Sequence, residues 1–326
     1  MPVREKKLIQ RIRRAAAGVR SGVVKGIGDD CAVLRVPSGH EVLVTTDFSI
    51  ETVHFRREWH SPELVGWRCL TRGLSDIAAM GGEPLAAFLS LAVAGDVPQK
   101  WVDRFLKGLL ELAEEFGISL AGGDTAQSAG GIQADIVVVG SVPKGTAVLR
   151  SGAKVGDAIY VTGELGGAAA ELGLLRKSKR VGNLRQPLPR NLRRDSGYSR
   201  PHARIEVGRW LRERGVASAM IDLSDGLSTD LGHICEESRV GAEIDAAAIP
   251  LAWVGGAAVG LELALHGGDD YELLFTSAAE VPAEIAGVRV TFIGRVGRFA
   301  GMRLVGADGK ARRLKAGGWE HFRGDL

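Results

Sequence analysis

Carboxylates recur in one kind of local setting, and that recurrence limits what the chain can fold into more than any other feature. Asp30, Asp47, Asp124, Asp222, Asp225 and Asp269 stand at the ends of apolar runs or beside glycines, and Asp76 stands among small and apolar residues in a helical stretch. The fullest example is Glu41-Val42-Leu43-Val44-Thr45-Thr46-Asp47-Phe48. Val42 to Val44 is apolar and β-branched, which reads as a short buried strand. It ends in two hydroxyls and a carboxylate. In an open α/β sheet, polar groups just past the carboxyl end of a strand point into the crevice where ligands bind. Thr45, Thr46 and Asp47 supply only oxygen, which suits a hard cation such as Mg²⁺. His54 could reach the same crevice. Asp47 taken alone could also start a turn or cap a helix. It is the repetition of the setting that favours ligands over turns.

At 326 residues the chain is long enough for two domains, each with its own core. The 45 glycines lie in short clusters between apolar runs, as tight turns and places of close backbone approach do. A net charge of +3 is weak evidence for a polyanionic partner. Cys31, Cys69 and Cys235 are odd in number and widely spaced, which argues against a disulfide framework or a CxxC metal site and fits a reducing cytoplasm. The charged stretch Arg4 to Arg14 does not read as a signal peptide. The longest apolar run, Pro84 to Ala94, is too short to span a bilayer.

Along the chain, residues 3–17 read as a basic helix, and Gly26-Ile27-Gly28-Asp29-Asp30 as a tight turn presenting acid. Ser61 to Met80 reads as a helix with Ser61 at its N-cap and Pro62 in its first turn. Asp76, inside it, lies either on the polar edge or facing a metal. Pro84 to Ala94 reads as a buried strand, Gln99 to Phe116 as an amphipathic helix, and Ile118 to Ala121 as a strand entering the turn Gly122-Gly123-Asp124-Thr125. Ile132 to Val142 closes the first domain. The texture changes to turn residues around Arg150 to Asp157, so the division is placed at 1–149 and 150–326. Residues 176–204 carry ten Lys and Arg with Pro187, Pro189 and Pro201, and read as a solvated loop and not as a nucleic-acid patch. Ala219 to Ile234 reads as strand, acidic turn and helix: Asp222 ends the strand, Asp225 is a candidate N-cap, and Asp230 and His233 fall on the exterior. Ala307-Asp308-Gly309-Lys310 reads as a hairpin turn.

The donor set excludes a Cys/His zinc site and fits several Mg²⁺ ions neutralising a highly charged substrate, hence phosphoryl chemistry. There is no P-loop, no protein-kinase glycine loop with its His-Arg-Asp, no Gly-x-Ser-x-Gly elbow and no dinucleotide fingerprint.

Five segments together resemble the thiamine-monophosphate kinases, within the wider superfamily of aminoimidazole ribonucleotide synthetase. They are Gly-Ile-Gly-Asp-Asp-Cys-Ala at 26–32, Thr-Thr-Asp with His54 at 45–54, Leu-Ser-Asp-Ile-Ala-Ala-Met-Gly at 74–81, Gly-Gly-Asp-Thr at 122–125 and Ile-Asp-Leu-Ser-Asp-Gly-Leu at 221–227. Arg-Ser-Gly-Ala-Lys-Val-Gly-Asp at 150–157 and Gly-Gly-Asp-Asp-Tyr-Glu at 267–272 add to them. The resemblance implies a mixed α/β fold of two domains: an N-terminal ATP- and metal-binding domain whose sheet pairs with its copy in a homodimer, and a C-terminal α/β domain completing the active site. It implies transfer of the γ-phosphate of ATP to thiamine monophosphate, with several Mg²⁺ ions and ATP as co-substrate. Carried over by motif, the metal ligands would be Asp30, Thr45, Thr46, Asp47, Asp76, Asp124, Asp222 and Asp225. ATP would lie against Gly123, Asp124, Arg150 and Ser224. His54, Asp269 and Trp319 would hold thiamine monophosphate, and Asp47, Asp124 and Arg150 would be catalytic. The family often has Glu where this chain has Asp269, whose shorter arm keeps the charge. The other ATP-using synthetases of the superfamily, the hydrogenase-maturation proteins with their cysteine-bearing tail, and a basic nucleic-acid binder are the competing readings. No membrane or nucleic-acid partner is expected.

Overall fold

The apolar runs of the first half become a four-stranded sheet whose helices cross at two glycines. The computed structural model describes residues 5–16, 22–177, 180–181, 184–185 and 198–322. Two compact units divide the chain: Met1–Ile77 with Gly82–Thr146, and Ala147–Asp325 with Ala78–Gly81. The first contains α1 (Glu5–Ala15), β1 (Val23–Lys25), β2 (Val33–Leu34), β3 (His40–Ile50), α2 (Pro62–Ala79), β4 (Glu83–Val93), α3 (Gln99–Glu115), β5 (Ser119–Gln127) and β6 (Ile132–Pro143). The sheet runs β3-β6-β4-β5, with β4 and β5 parallel and the other pairs antiparallel.

Local chemistry sets these elements. The Ser61 hydroxyl accepts the Leu64 N–H at 3.2 Å and caps α2. Pro62 at the first helical position has no N–H to leave unsatisfied. On α3 the apolar residues Val102, Phe105, Leu109 and Leu112 recur at helical spacing and are fully buried. Each such side chain contributes about 1.5–3 kcal/mol. The two helices approach closely: a Cβ on Gly66 would stand 1.9 Å from the Phe105 carbonyl oxygen, and one on Gly108 would stand 1.9 Å from that of Glu63.

Two expectations change in this unit. Val42 to Val44 is not a buried strand ending at Thr45. The strand runs from His40 to Ile50, and Thr45 to Asp47 lie in its middle. Val42 is 50% exposed and Val44 64%, because β3 is an edge strand covered on one face only. Nor is Gly122-Gly123-Asp124-Thr125 a turn, since β5 continues through it. A register shift against Ala87 and Phe88 marks a bulge there. Gly123 has φ of 141°, and a Cβ on it would stand 1.9 Å from the Leu89 carbonyl oxygen. The glycines let the strand bulge and pack close to its neighbour; they do not reverse it.

The second unit opens with a 3₁₀ turn at Arg150–Gly152. There follow β7 (Ala158–Thr162), α4 (Gly167–Lys177), β8 (Arg180–Val181), β9 (Leu184–Arg185), α5 (Ile205–Arg214), β10 (Ala219–Asp222), α6 (Leu227–Ser238), β11 (Gly241–Asp245), β12 (Trp253–Val254), β13 (Ala257–Ala258), α7 (Leu261–His266), β14 (Leu273–Ser277), β15 (Glu284–Ile285), β16 (Val288–Gly297), β17 (Gly301–Val305) and β18 (Ala311–Leu314). The main sheet runs β10-β14-β7-β16-β11-β17-β18, with β15 on β16. It is antiparallel except for β11 against β17. Leu227, Leu231 and Ile234 of α6 are buried, sharing a core with Ile159, Val161 and Leu274. β17 and β18 form the expected hairpin, with Gly309 at φ of 71°.

Much of the basic stretch 176–204, including all of 186–197, lies outside the described residues. Its last part is not a solvated loop. Ala203 is buried, the Tyr198 hydroxyl donates to Glu164 Oε2 at 2.5 Å, and Arg204 pairs with Glu272. Partners distant in sequence fix these residues, and composition does not reveal them.

The glycine crossing gives a test in which two effects have opposite signs. Helix propensity alone predicts that Gly66→Ala or Gly108→Ala gains about 1 kcal/mol. Overlap with a facing carbonyl predicts a net loss of about 1–3 kcal/mol. We expect the loss, read as a lower urea midpoint with unchanged slope.

Candidate active site

In the first unit the proposed residues fall into two groups. Leu43, Thr45, Asp47 and Ser49 alternate on to the covered face of β3. The Thr45 hydroxyl donates to Asp76 Oδ2 of α2. Arg72, one turn earlier on the same helix, places Nη1 3.7 Å from Asp47 Oδ1. The helix can lie this close because residue 73 is glycine: a Cβ there would stand 2.5 Å from Val138 Cγ2. Thr45, Asp47 and Asp76 therefore meet, whereas Thr46 alternates on to the exposed side of β3 with Val44 and Phe48.

The second group lines a cavity of about 630 Å³, whose walls include Arg13, Asp30, Phe88, Gly123 and Asp124. Gly28 has φ of 124°, and a Cβ on it would stand 2.8 Å from the Arg13 guanidinium carbon, so glycine lets this cation lie over the loop. The Thr125 N–H donates to Asp124 Oδ1 at 2.8 Å. Paired acids, one arginine, an apolar wall and glycine backbone make a lining suited to a small polyanion with a flat ring. His54 follows β3 in a tight turn, where its Nδ1 accepts the Ile50 N–H at 3.0 Å.

In the second unit Asp222 ends β10 and is buried. Backbone bonds stitch the turn after it to the loop before β14. The Leu223 N–H donates to the Glu272 carbonyl at 2.8 Å, the Tyr271 N–H to the Leu223 carbonyl at 2.9 Å and the Asp269 N–H to the Ser224 carbonyl at 2.7 Å. The chain near its end is tied to the same turn, with the Trp319 N–H on the Asp225 carbonyl at 3.0 Å and the Gly318 N–H on Thr229 Oγ1 at 3.1 Å. A Cβ on Gly318 would stand 1.9 Å from the Asp225 carbonyl oxygen, so only glycine allows the approach. Asp222, Ser224, Asp225, Asp269 and Trp319 are thus brought together. Arg150 is not with them: its carbonyl accepts the Ser238 hydroxyl at 2.8 Å, at the opposite end of α6 from Asp225.

Two residues here were misplaced by the sequence reading. Asp225 is not the N-cap of α6; Gly226 is, with no side-chain cap. Asp230 is not on the exterior but 1% exposed, with Oδ2 accepting the N–H groups of Asp225 and Gly226 at 3.2 and 3.1 Å. Burial, then the nearby Asp222 and Asp225, push its carboxyl up to about 8. Ligand atoms of Asp225, Asp230 and His233 lie within 4.8 Å of one another, a set that could hold a cation. The signal available was the i, i+3 spacing of Asp230 and His233, which puts them on one helical side just after the acidic turn.

Models of the AIR synthase related protein match the chain twice, the N-terminal domain over residues 28–142 and the C-terminal domain over 154–296. The thiamine-monophosphate kinase of Escherichia coli K12 is 37% identical over 333 residues, covering 98% of both chains. The chain belongs to the thiamine-monophosphate kinase family. Its fold agrees with the crystal structure of the kinase from Stenotrophomonas maltophilia K279a, at 35% identity and TM-score 0.78 over 96% of this chain and 99% of that one. It also agrees with AaThiL complexed with AMPPCP and TMP, at 33% identity and TM-score 0.72 over 98% and 99%. The acid motifs of this family member fall within the matched span.

The Asp230 environment predicts a pH effect on stability. Its folded-state pKa lies above that of an exposed aspartate, so ionisation disfavours the fold, and the cost grows as pH rises from about 4 to 8. Asp230→Asn keeps an acceptor for both N–H groups without the charge. In chelator at pH 7 the variant should melt several degrees above wild type, and the gap should close toward pH 4.

Proposed function

We infer that this chain is a thiamine-monophosphate kinase that transfers the γ-phosphate of ATP to thiamine monophosphate, giving thiamine diphosphate and ADP. The observation that carries the reading is the acid-lined cavity formed by Asp30, Gly123 and Asp124 in a chain that matches such kinases over nearly its whole length. The donors fit Mg²⁺: Asp30, Thr45, Asp47, Asp76, Asp124, Asp222 and Asp225 offer oxygen only, whereas the Thr46 side chain faces the other side of β3. When bound, Mg²⁺ would neutralise charge on the phosphates. Asp47 would divide its carboxylate between the cation and the Arg72 guanidinium, whose Nη1 lies 3.7 Å from Oδ1. The glycine backbone at Gly123, which carries no Cβ, would allow close approach of a phosphate, and Ser224 offers a hydroxyl. Arg150, far from the Asp222 turn along α6, is proposed to meet the nucleotide. The acceptor is a phosphate monoester, mostly dianionic at neutral pH because its second pKa is near 6. It needs no general base, so Asp47 and Asp124 act as ligands and not as proton acceptors. His54, Asp269 and Trp319 are proposed to hold thiamine monophosphate, with the carboxylate near the cationic thiazolium and the indole, 45% exposed, against a flat ring.

We also propose the division at residues 149 and 150, a reducing cytoplasmic setting and a homodimer. The break between Thr146 and Ala147 supports the first. The free cysteines Cys31, Cys69 and Cys235 support the second, and no helix among the described residues is long and apolar enough to cross a membrane. An exposed apolar stripe on edge strand β3, Val42, Val44 and Phe48, supports the third.

With ATP, Mg²⁺ and thiamine monophosphate, the protein should form thiamine diphosphate, and Asp124→Asn should lower kcat by about 10²-fold or more. ATP consumption without the diphosphate would redirect the reading to another acceptor. Val44→Asp should shift the protein from dimer to monomer in sedimentation velocity, and a wild-type monomer would remove the dimer.

A further inference from the structure

The loop between α7 and β14 carries three acids, and two of them have structural work. Asp270 accepts the Gly166 N–H, with its two oxygens at 2.9 and 3.1 Å, at the start of α4. Glu272 takes the Arg204 guanidinium and the Thr162 hydroxyl, the latter at 2.6 Å, and Thr162 in turn accepts the Leu273 N–H. Asp269 is met differently. The Tyr271 hydroxyl donates to its Oδ1 at 2.8 Å, and the Tyr271 ring is 1% exposed. Both residues have left-handed backbone, φ of 62° at Asp269 and 52° at Tyr271. Aspartate tolerates that region better than most residues, but a tyrosine there is an outlier. The bonds to Leu223 and Ser224 hold the loop in this shape. Its result is to turn the tyrosine inward beneath the loop, with the hydroxyl on the carboxylate. Strain of this kind persists where surrounding structure over-determines it, and it collects at ligand clamps.

We propose that Tyr271 is a positioning residue for the acceptor substrate: its hydroxyl fixes the Asp269 carboxylate in the orientation that receives the cationic thiazolium ring of thiamine monophosphate. The inference rests on the functional reading above. A buried phenol is rigid, and its single donor selects one rotamer of a short side chain that otherwise has several. The carboxylate then meets the cation without first losing that freedom, so the effect belongs to binding of the acceptor and not to phosphoryl transfer.

Tyr271→Phe keeps the ring and removes only the hydroxyl. The expected result is a KM for thiamine monophosphate raised about ten-fold, with kcat and the KM for ATP changed by less than about two-fold and thermal unfolding unmoved. Asp269→Gly removes the carboxylate without backbone strain and should raise the same KM at least as far. In that background Tyr271→Phe should add less than about two-fold, because the two side chains act as one unit. Equal changes in both KM values, or effects of the two substitutions that simply multiply, would overturn the proposal. So would an unchanged acceptor KM in Asp269→Gly, whether or not the tyrosine variant folds. A wild-type protein that binds ATP but never phosphorylates thiamine monophosphate would remove the functional reading and this inference with it, a result obtained before any variant is made.

Discussion

Like charges held close together oppose folding, and much of the second unit is arranged around one such group. Asp222, Asp225 and Asp230 are near enough that the last is pushed up to about 8, burial being the larger cause and its two neighbours the next. A chain selected for stability alone would not bury a carboxylate beside two others. The fold tolerates it because Asp230 accepts two backbone N–H groups at the entry to α6, where the helix dipole also favours negative charge. A bound cation would relieve the rest of the cost.

Holding the acids at defined places falls to backbone bonds more than to side chains. The turn 223–225 receives the loop 269–272 through three N–H to carbonyl bonds and the segment 317–319 through further bonds to Asp225, Ser228 and Thr229. The bonds between main-chain groups among these do not depend on side-chain rotamers, whereas those to the Ser228 and Thr229 hydroxyls do. Replacing a carboxylate there would change charge while leaving the turn in place. In the first unit the equivalent device is close packing. Glycine at 73 lets α2 settle on the sheet, and that settling allows the Thr45 hydroxyl to reach Asp76.

How much of this was legible in the sequence depended on whether the cause was local. Helical periodicity located α2 and α3 to within a residue or two and the start of α6, and Ser61 with Pro62 marked the start of α2, because caps and stripes are written within one turn. The acids proposed as ligands were legible as a recurrent setting. What failed had distant causes. The exposure of Val42 and Val44 follows from β3 being an edge strand, which its own composition does not say. Gly122-Gly123 looks the same whether it reverses a strand or bulges one; the deciding feature is the Leu89 backbone pressed against it. Asp230 looked solvated because a charged residue in a helix usually is. Its burial depends on the preceding turn folding back over the helix end, which periodicity does not report.

The same distinction explains why glycine is so frequent here. Gly66 and Gly108 admit a neighbouring helix, Gly123 a neighbouring strand, and Gly318 the turn that carries Asp225. In each case the absent Cβ lets main chain meet main chain. Main-chain contact is the stiffest support a polypeptide can give, since it involves no rotamers. An enzyme that brings two polyanions together must place its charges against strong repulsion without letting them drift. A 2 Å displacement changes a Coulomb energy at 4 Å by about a third, in proportion to inverse distance. Carboxylates on backbone held this tightly move little when the ligand charge changes, which is what a phosphoryl-transfer site needs as negative charge shifts from donor to acceptor.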